Sequence, residues 1–331
     1  MQWNKNIKIF LNYFLGPLLF IWLAFSIYRE IDQQPRLQES WLQINASFHS
    51  YKIVYLVIAL LLIFANWGLE ALKWKLSIAS IYRIGFWQSF WAVLSGVTFS
   101  VTMPNRIGDY FGRVLYMPDG MRLKTISVTL VGSFAQLITT LIMGVTGLVV
   151  IKHPLLIAYP RMLLWYQFLL YGLIALILLL LLIYFNTAAV TSVFGRWFSH
   201  KKYGYLVEAL RDFDTRLLSR VLLLSVLRYT IFLIQYIMLF YLFGVNVSVA
   251  TIGWVMSVVF LAMAIIPSIA LVEVGMRGEI SLKLMGLFSA NSLGIGLTSI
   301  TIWFINLVVP AIIGSLLMLN LKLFKKRNER I

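Results

Sequence analysis

Six apolar stretches of about 20 residues or more dominate the sequence and decide which class of structure it can form. They cover about 7–28, 53–72, 124–151, 163–186, 219–243 and 294–319. A helix needs roughly 20 apolar residues to cross the hydrocarbon core of a bilayer. With 61% of the 331 residues hydrophobic and 12% charged, the chain could not present a water-facing surface. The sequence therefore predicts an all-α polytopic membrane protein, with about six full spans in one transmembrane domain over residues 1–331.

Two further apolar stretches, about 86–117 and 251–287, are broken in the middle by "MPNRIGDYFGR" and "IPSIALVEVGMRGE". Lysine and arginine near span ends are retained on the cytoplasmic side of a membrane. Most basic residues, including the cluster "HKKYG", share that side if each broken stretch enters and leaves on the same face. We therefore expect two re-entrant broken helical hairpins and both termini in the cytoplasm.

The order span, hairpin, span then occurs twice, in repeat A (about 53–151) and in repeat B (about 219–319), with opposite starting sides. Such an inverted repeat brings broken helices together near the membrane midplane, where transporters build their substrate sites. Residues 187–218 between the repeats carry apolar side chains at helical spacing: Leu206, Leu210, Phe213 and Leu217. This pattern predicts an amphipathic helix along the cytoplasmic interface, which connects the two repeats.

The first broken stretch carries Pro104, Arg106, Asp109 and Arg113. Ionised side chains are tolerated in hydrocarbon only where protein or trapped water surrounds them, so these residues predict a polar cavity. Arg106 and Arg113 are two helical turns apart and could hold a phosphate through forked hydrogen bonds. Pro104 could open a helix whose first N–H groups point at the anion. Alternatively, Asp109 neutralises both arginines in a structural clasp at the cytoplasmic rim.

The second broken stretch carries Glu273 and Arg277 after Pro267. The two charges are four residues apart in the favourable acid-first order, so a local ion pair is one explanation. Glu273 also follows an apolar run, and a carboxylate inside the membrane is a candidate proton carrier for secondary active transport. In the fifth stretch Arg228 lies mid-span, where it either lines the cavity or extends to the membrane surface.

Two other polar groups in the spans have a structural explanation. Gln136 shares a helix face with Ser133 and Thr140, a pattern typical of hydrogen bonds between membrane helices. Glu70 and Lys73 are three residues apart at the end of the second stretch and can pair with each other. We interpret both sets as contacts that hold helices together.

Catalytic and metal-binding patterns are not found in the sequence. The chain contains no cysteine, and the histidines lie far apart at His49, His153 and His200, without metal-ligand spacing. We therefore expect no metal, cofactor or catalytic residue. The formal net charge of +16 is concentrated between the spans, which indicates membrane topology and no binding of nucleic acid.

Four segments resemble the flippase-like transmembrane region of the lysylphosphatidylglycerol synthases, in its standalone form. They are "MPNRIGDYFGRVLYM", "LVGSFAQLITTLIMGVTGL", "NWGLEALKW" and "IPSIALVEVGMRGE". The resemblance implies a bacterial or archaeal cytoplasmic membrane protein that moves a lipid through a cavity between two pseudo-symmetric halves. The positions that match are Pro104, Arg106, Gly108, Asp109 and Arg113, with Pro267, Glu273 and Gly275. Asp109 stands where the family motif prefers glutamate. We expect no soluble aminoacyl-transfer domain after "KLFKKRNERI".

Three functions fit these observations. The first is a lipid flippase or transporter that moves an anionic or lipid-linked head group between leaflets, with membrane lipid as its substrate and Pro104, Arg106, Asp109, Arg113, Arg228, Glu273 and Arg277 as binding residues. The second is an integral-membrane transferase that acts on a polyprenyl-phosphate or phospholipid, with Asp109 or Glu273 as base. The third is a non-catalytic scaffold. A second copy of the chain or a soluble cytoplasmic partner could bind the basic loop 187–218.

Overall fold

The computed structural model describes residues 16–33, 37–103, 107–186, 213–266 and 270–328, and every regular element in these ranges is helical. The helices are α1 (Gly16–Asp32), α2 (Leu37–Phe48), α3 (Ile53–Ile78), α4 (Phe86–Thr102), α5 (Gly108–Val114), α6 (Arg122–Val150), α7 (Lys152–Ala158), α8 (Leu163–Phe185), α9 (Thr215–Leu242), α10 (Val249–Ile265), α11 (Ala270–Met285), α12 (Ser292–Trp303) and α13 (Val309–Asn328). A π-helical turn, Phe304–Val308, joins α12 to α13. The all-α class is therefore confirmed.

Five helical segments in the described ranges are long and apolar enough to cross a membrane. They are Ile53–Ile78, Asp119–Val150, Leu163–Phe185, Thr215–Leu242 and Ser292–Met318, and each matches a predicted span. The first predicted span, about 7–28, lies partly outside the described residues, which begin at Gly16. The count of six spans stays a prediction.

The exposed surface of these helices is apolar. On α8, for example, Leu164, Trp165 and Phe168 are each at least 70% exposed. A soluble protein rarely exposes apolar patches of this extent, whereas lipid tails are the natural surroundings of such side chains. This helix therefore faces lipid over most of its circumference.

Three helices begin with a side-chain cap that the sequence supplies. Asp214 accepts a hydrogen bond from the backbone N–H of Leu217 at the start of α9, and Ser248 accepts one from Thr251 at the start of α10. Asn291 caps α12 by accepting from Gly294. These short polar side chains satisfy N–H groups that have no partner within the helix.

The helices of the two predicted repeats pack against each other. α3 packs along α9, α6 packs on α10, and α13 packs on α4. The resulting interior is apolar, with Tyr236, Phe240 and Met256 fully buried on one side and Trp74, Ile78 and Ile138 fully buried on the other. Helices from both halves of the chain therefore contribute to each of these two clusters of buried apolar side chains.

Each broken stretch forms two helices, α4 with α5 and α10 with α11, and the two members of each pair are in contact. The breaks themselves, at 104–106 and 267–269, lie outside the described residues. α5 lies so close to α4 that a Cβ atom on Gly112 would meet the backbone of Gly96 and Ser95, and one on Gly108 would meet the backbone of Phe99. The absence of a side chain at both glycines is what permits this approach.

Replacing Gly112 with alanine is therefore expected to destabilise the protein by about 1–3 kcal/mol, the usual range for overpacking. The added methyl group meets backbone atoms, which cannot rotate away. The matched control is Gly172→Ala in α8, where a Cβ atom would meet nothing within 4 Å. Melting temperatures of the two purified variants in one detergent compare them. Equal melting temperatures would contradict the close packing of α4 on α5.

The amphipathic connector predicted over 187–218 lies mostly outside the described residues, which resume at Phe213. Phe213 is buried, with 3% of its surface exposed, and Leu217 packs on the same core. These two positions place the start of α9 against the protein interior. The rest of the connector stays a prediction.

Candidate functional site

Glu70 is the centre of a buried cluster of charges. Its carboxylate lies 2.7 Å from Lys73 Nζ, 2.9 Å from Arg113 Nη2 and 3.1 Å from Arg228 Nη1. Glu70, Lys73 and Arg113 are each less than 7% exposed. The three cations come from α3, α5 and α9, so a single carboxylate ties three helices together.

Asp109 lies at the edge of this cluster. Its Oδ1 accepts a hydrogen bond from the Ser100 hydroxyl at 2.8 Å, and its Oδ2 lies 3.9 Å from Arg113. The shorter hydrogen bond joins α5 to α4, whereas the contact with Arg113 stays within α5. Asp109 therefore holds the two helices of the broken stretch together, and Glu70 is the closer partner of Arg113.

Arg228 extends from α9 across α3. Its Nε donates to Asn66 Oδ1 at 2.9 Å, and its guanidinium lies 5.1 Å from the centre of the Trp67 ring. Asn66 Nδ2 donates in turn to Asn306 Oδ1 at 2.9 Å. Asn306 lies in the π-helical turn Phe304–Val308, a distortion that is frequent at functional sites because it changes where a side chain points.

Arg277 forms a second buried pair. Its Nη2 lies 2.5 Å from Glu273 Oε1, its Nη1 donates to the Tyr236 hydroxyl at 2.9 Å, and its guanidinium lies 5.7 Å from the centre of the Phe232 ring. Arg277 is 6% exposed. The ion pair expected from the spacing of Glu273 and Arg277 is present within α11, and the hydrogen bond from Arg277 to Tyr236 joins α11 to α9.

A cavity of about 440 Å³ lies between these two groups of charges. Its lining comes from α3, α6, α9, α10, α11, α12 and the π-helical turn, and its polar members are Asn66, Trp67, Gln136, Thr140, Arg228, Tyr229, Glu273, Arg277 and Asn306. The rest of the lining is apolar and includes Phe232, Phe260 and Trp303. Two arginines and one carboxylate therefore face a space lined by both polar and apolar side chains, a setting suited to an anionic group.

The structure brings together only part of the predicted set. Arg228, Glu273 and Arg277 line the cavity. Asp109 and Arg113 lie behind its wall, and Arg113 is connected to Arg228 through Glu70. Pro104 and Arg106 lie outside the described residues. Whether these side chains bind a substrate stays a prediction.

Sequence reasoning missed Trp67, Asn306 and the central position of Glu70. The predicted Glu70–Lys73 pair is present, but Glu70 also binds two arginines from distant parts of the chain. Gln136 differs from expectation as well, since its Oε1 has no hydrogen-bond partner in the described ranges and its side chain lines the cavity. The only available signal was that Asn66, Glu70 and Lys73 share one helix face.

Long apolar helices around buried ion pairs and a polar cavity define a polytopic helical membrane protein with an internal site. The chain belongs to the family described as the lysylphosphatidylglycerol synthase TM region, which matches residues 10–314. The family match confirms the resemblance noted in the sequence and identifies an integral membrane protein of lipid metabolism or transport. No match was found among curated proteins or among solved structures.

Proposed function

We propose that the protein is a lipid flippase or transporter that moves a lipid with an anionic or lipid-linked head group between the leaflets of the membrane. The observation that carries this proposal is the cavity of about 440 Å³, which Arg228 and Arg277 line among helices apolar enough to cross a membrane. The head group would occupy the cavity while the acyl chains stay in the bilayer.

The physical role of the cavity is to replace water around the head group. A charged group in bare hydrocarbon is strongly disfavoured, and neighbouring dipoles and counter-charges reduce that penalty. Arg228 and Arg277 supply two guanidinium groups, and the charge and N–H donors of a guanidinium favour phosphate. Lys73 and Arg113 stand behind Arg228, so the cations near the cavity outnumber the carboxylates Glu70, Asp109 and Glu273. This excess favours an anionic head group.

The proposed transport cycle depends on the inverted repeat. Its support is the reciprocal packing of equivalent helices: α4 of repeat A contacts α13 of repeat B, α10 of repeat B contacts α6 of repeat A, and α3 and α9 contact each other. In this proposal α4 and α5 form one re-entrant hairpin, α10 and α11 form the other, and the two halves rock about the cavity. Pro104, Arg106, Asp109 and Arg113 would then admit the head group from the first hairpin.

Arg228→Gln tests the proposal in vesicles that contain the purified protein and a fluorescent anionic phospholipid. A membrane-impermeant quencher added outside reports which leaflet holds the label. We expect the variant to move lipid about tenfold to a hundredfold more slowly than the unmodified protein, because it loses a charge-assisted hydrogen bond to the head group. Arg122→Gln is the matched control, since Arg122 pairs with the exposed Asp119 outside the cavity.

Two results would contradict the proposal. Movement of the label no faster than in protein-free vesicles would exclude flippase activity towards that lipid class. Chemical conversion of the label, detected by chromatography of the extracted lipid, would instead favour the transferase alternative.

A further inference from the structure

A chain of hydrogen bonds runs from the backbone of α12 to Arg228 through two buried amides, and we call it the amide chain. Asn306 Nδ2 donates to the Ile302 carbonyl at 3.3 Å. Asn66 Nδ2 donates to Asn306 Oδ1 at 2.9 Å, and Arg228 Nε donates to Asn66 Oδ1 at 2.9 Å. Asn66 and Asn306 are 3% and 8% exposed. The amide chain therefore connects an arginine of the cavity to the segment that contains the π-helical turn.

The two ends of the amide chain fix the orientation of both amides. The Ile302 carbonyl only accepts hydrogen bonds, and the Arg228 guanidinium only donates them. An amide has an oxygen that accepts and a nitrogen that donates, so each amide must turn its nitrogen towards Ile302 and its oxygen towards Arg228. Because the two ends require the same orientation, each bond in the chain supports the next.

We infer that Asn306 is a positioning residue, which acts through Asn66 to hold the Arg228 guanidinium in the orientation that binds the head group. The inference rests on the proposed function, because it concerns how the same cavity keeps its arginine available to a ligand. It assigns to the π-helical turn a role in lipid movement that passes through Arg228.

Arg228 needs to be held because Glu70 competes for it. The Glu70 carboxylate lies 3.1 Å from Arg228 Nη1, and an arginine and a carboxylate pair most strongly through two parallel hydrogen bonds. Asn66 binds Nε of the same guanidinium, so a rotation that brings Nε to Glu70 would break this bond. The amide chain thus prevents Arg228 from turning fully onto Glu70, which would withdraw its charge from the cavity.

The test is a double-mutant cycle in the vesicle assay for anionic phospholipid, with Asn306→Leu and Arg228→Gln made singly and together. Asn306→Leu removes the link to Asn66 and keeps a side chain of similar size. We expect it to slow lipid movement about twofold to tenfold, the effect of one neutral hydrogen bond. In the Arg228→Gln background the same substitution should cause no further slowing, because Asn306 acts through that guanidinium.

A purely structural role of Asn306 predicts a different result. Destabilisation lowers the folded fraction in either background, so Asn306→Leu would then slow movement by the same factor in both. Asn306→Thr keeps the cycle decisive if the leucine variant does not fold. A threonine hydroxyl donates to the carbonyl four residues earlier, as Thr298 does to Gly294, and is too short to reach Asn66. The matched control is Thr298→Val, which loses that buried hydrogen bond and should leave movement unchanged in both backgrounds.

The outcomes distinguish this inference from the proposed function. Equal slowing in both backgrounds by the two Asn306 variants, or movement at the normal rate in both variants, would overturn the inference but leave lipid movement by the unmodified protein intact. No movement of anionic lipid by the unmodified protein would overturn the inference and the proposed function together.

Discussion

Glu70→Gln is expected to destabilise the protein by about 3–5 kcal/mol, the range seen when one partner of a buried ion pair is removed. The substitution preserves the shape of the side chain and removes the charge that Lys73, Arg113 and Arg228 share. Three cations then lie close together, and the neutral amide cannot compensate them. Thermal unfolding of the purified variant in detergent measures the effect.

The control for Glu70→Gln is Asp119→Asn, which removes a carboxylate 2.7 Å from Arg122 where the Asp119 side chain is 86% exposed. Exposed ion pairs contribute about 0–1 kcal/mol, so the control should unfold close to the unmodified protein. A double variant, Glu70→Gln with Lys73→Met, should recover part of the loss, because one of the three cations is gone. Equal melting temperatures for Glu70→Gln and the control would refute the central position of Glu70.

The second large effect is expected at Glu273 and Arg277. Arg277→Gln removes the guanidinium that lies 2.5 Å from Glu273 Oε1 and donates to the Tyr236 hydroxyl. We expect a loss of about 3–5 kcal/mol, since a buried carboxylate keeps its charge without that compensation. Glu273→Gln should be similarly destabilising, because the Arg277 charge then stays buried beside a phenol.

The double variant, Glu273→Gln with Arg277→Gln, separates folding from function. It carries two neutral amides that can bond to each other, so most of the lost stability should return, with a coupling energy of about 3 kcal/mol in the double-mutant cycle. Movement of an anionic lipid should nevertheless stay about tenfold to a hundredfold slower, as expected for Arg228→Gln, since the cavity has lost one of its two cations. A stable double variant that moves lipid at the normal rate would show that Arg277 serves folding alone.

Local sequence patterns predicted the elements well. Apolar runs long enough to cross a bilayer as a helix indicated five of the helices that the structure shows. Each broken stretch forms two helices, which lie on either side of residues 104–106 and 267–269. Pairs three or four residues apart, Glu70 with Lys73 and Glu273 with Arg277, were also predictable, because spacing along one helix fixes which side chains share a face.

Contacts between distant helices could not be predicted in the same way. Arg228 bonds to Asn66 across 162 positions of the chain, and Arg113 bonds to Glu70 across 43. Each depends on how two helices rotate against each other, and in apolar spans almost any rotation buries apolar side chains equally well. The interior role of Asn306 depends on a π-helical turn, and the residues "FINLV" give no sign of one.

The π-helical turn Phe304–Val308 also affects which side chains of the last helical segment face their partners. Its backbone pairs residues five apart instead of four, so Phe304–Val308 contains one residue more than an α-helical path would. Thr98 donates to the Ala311 carbonyl, and Gly314 lies against the backbone at Leu94, so the far end of the segment is seated on α4. Deleting one residue within the turn would restore an α-helical path between the same two ends, so α13 could keep its place on α4. Asn306 would then point in a different direction and lose its contact with Asn66. The extra residue therefore allows one continuous helical segment to direct Asn306 into the polar interior and still seat Gly314 against α4.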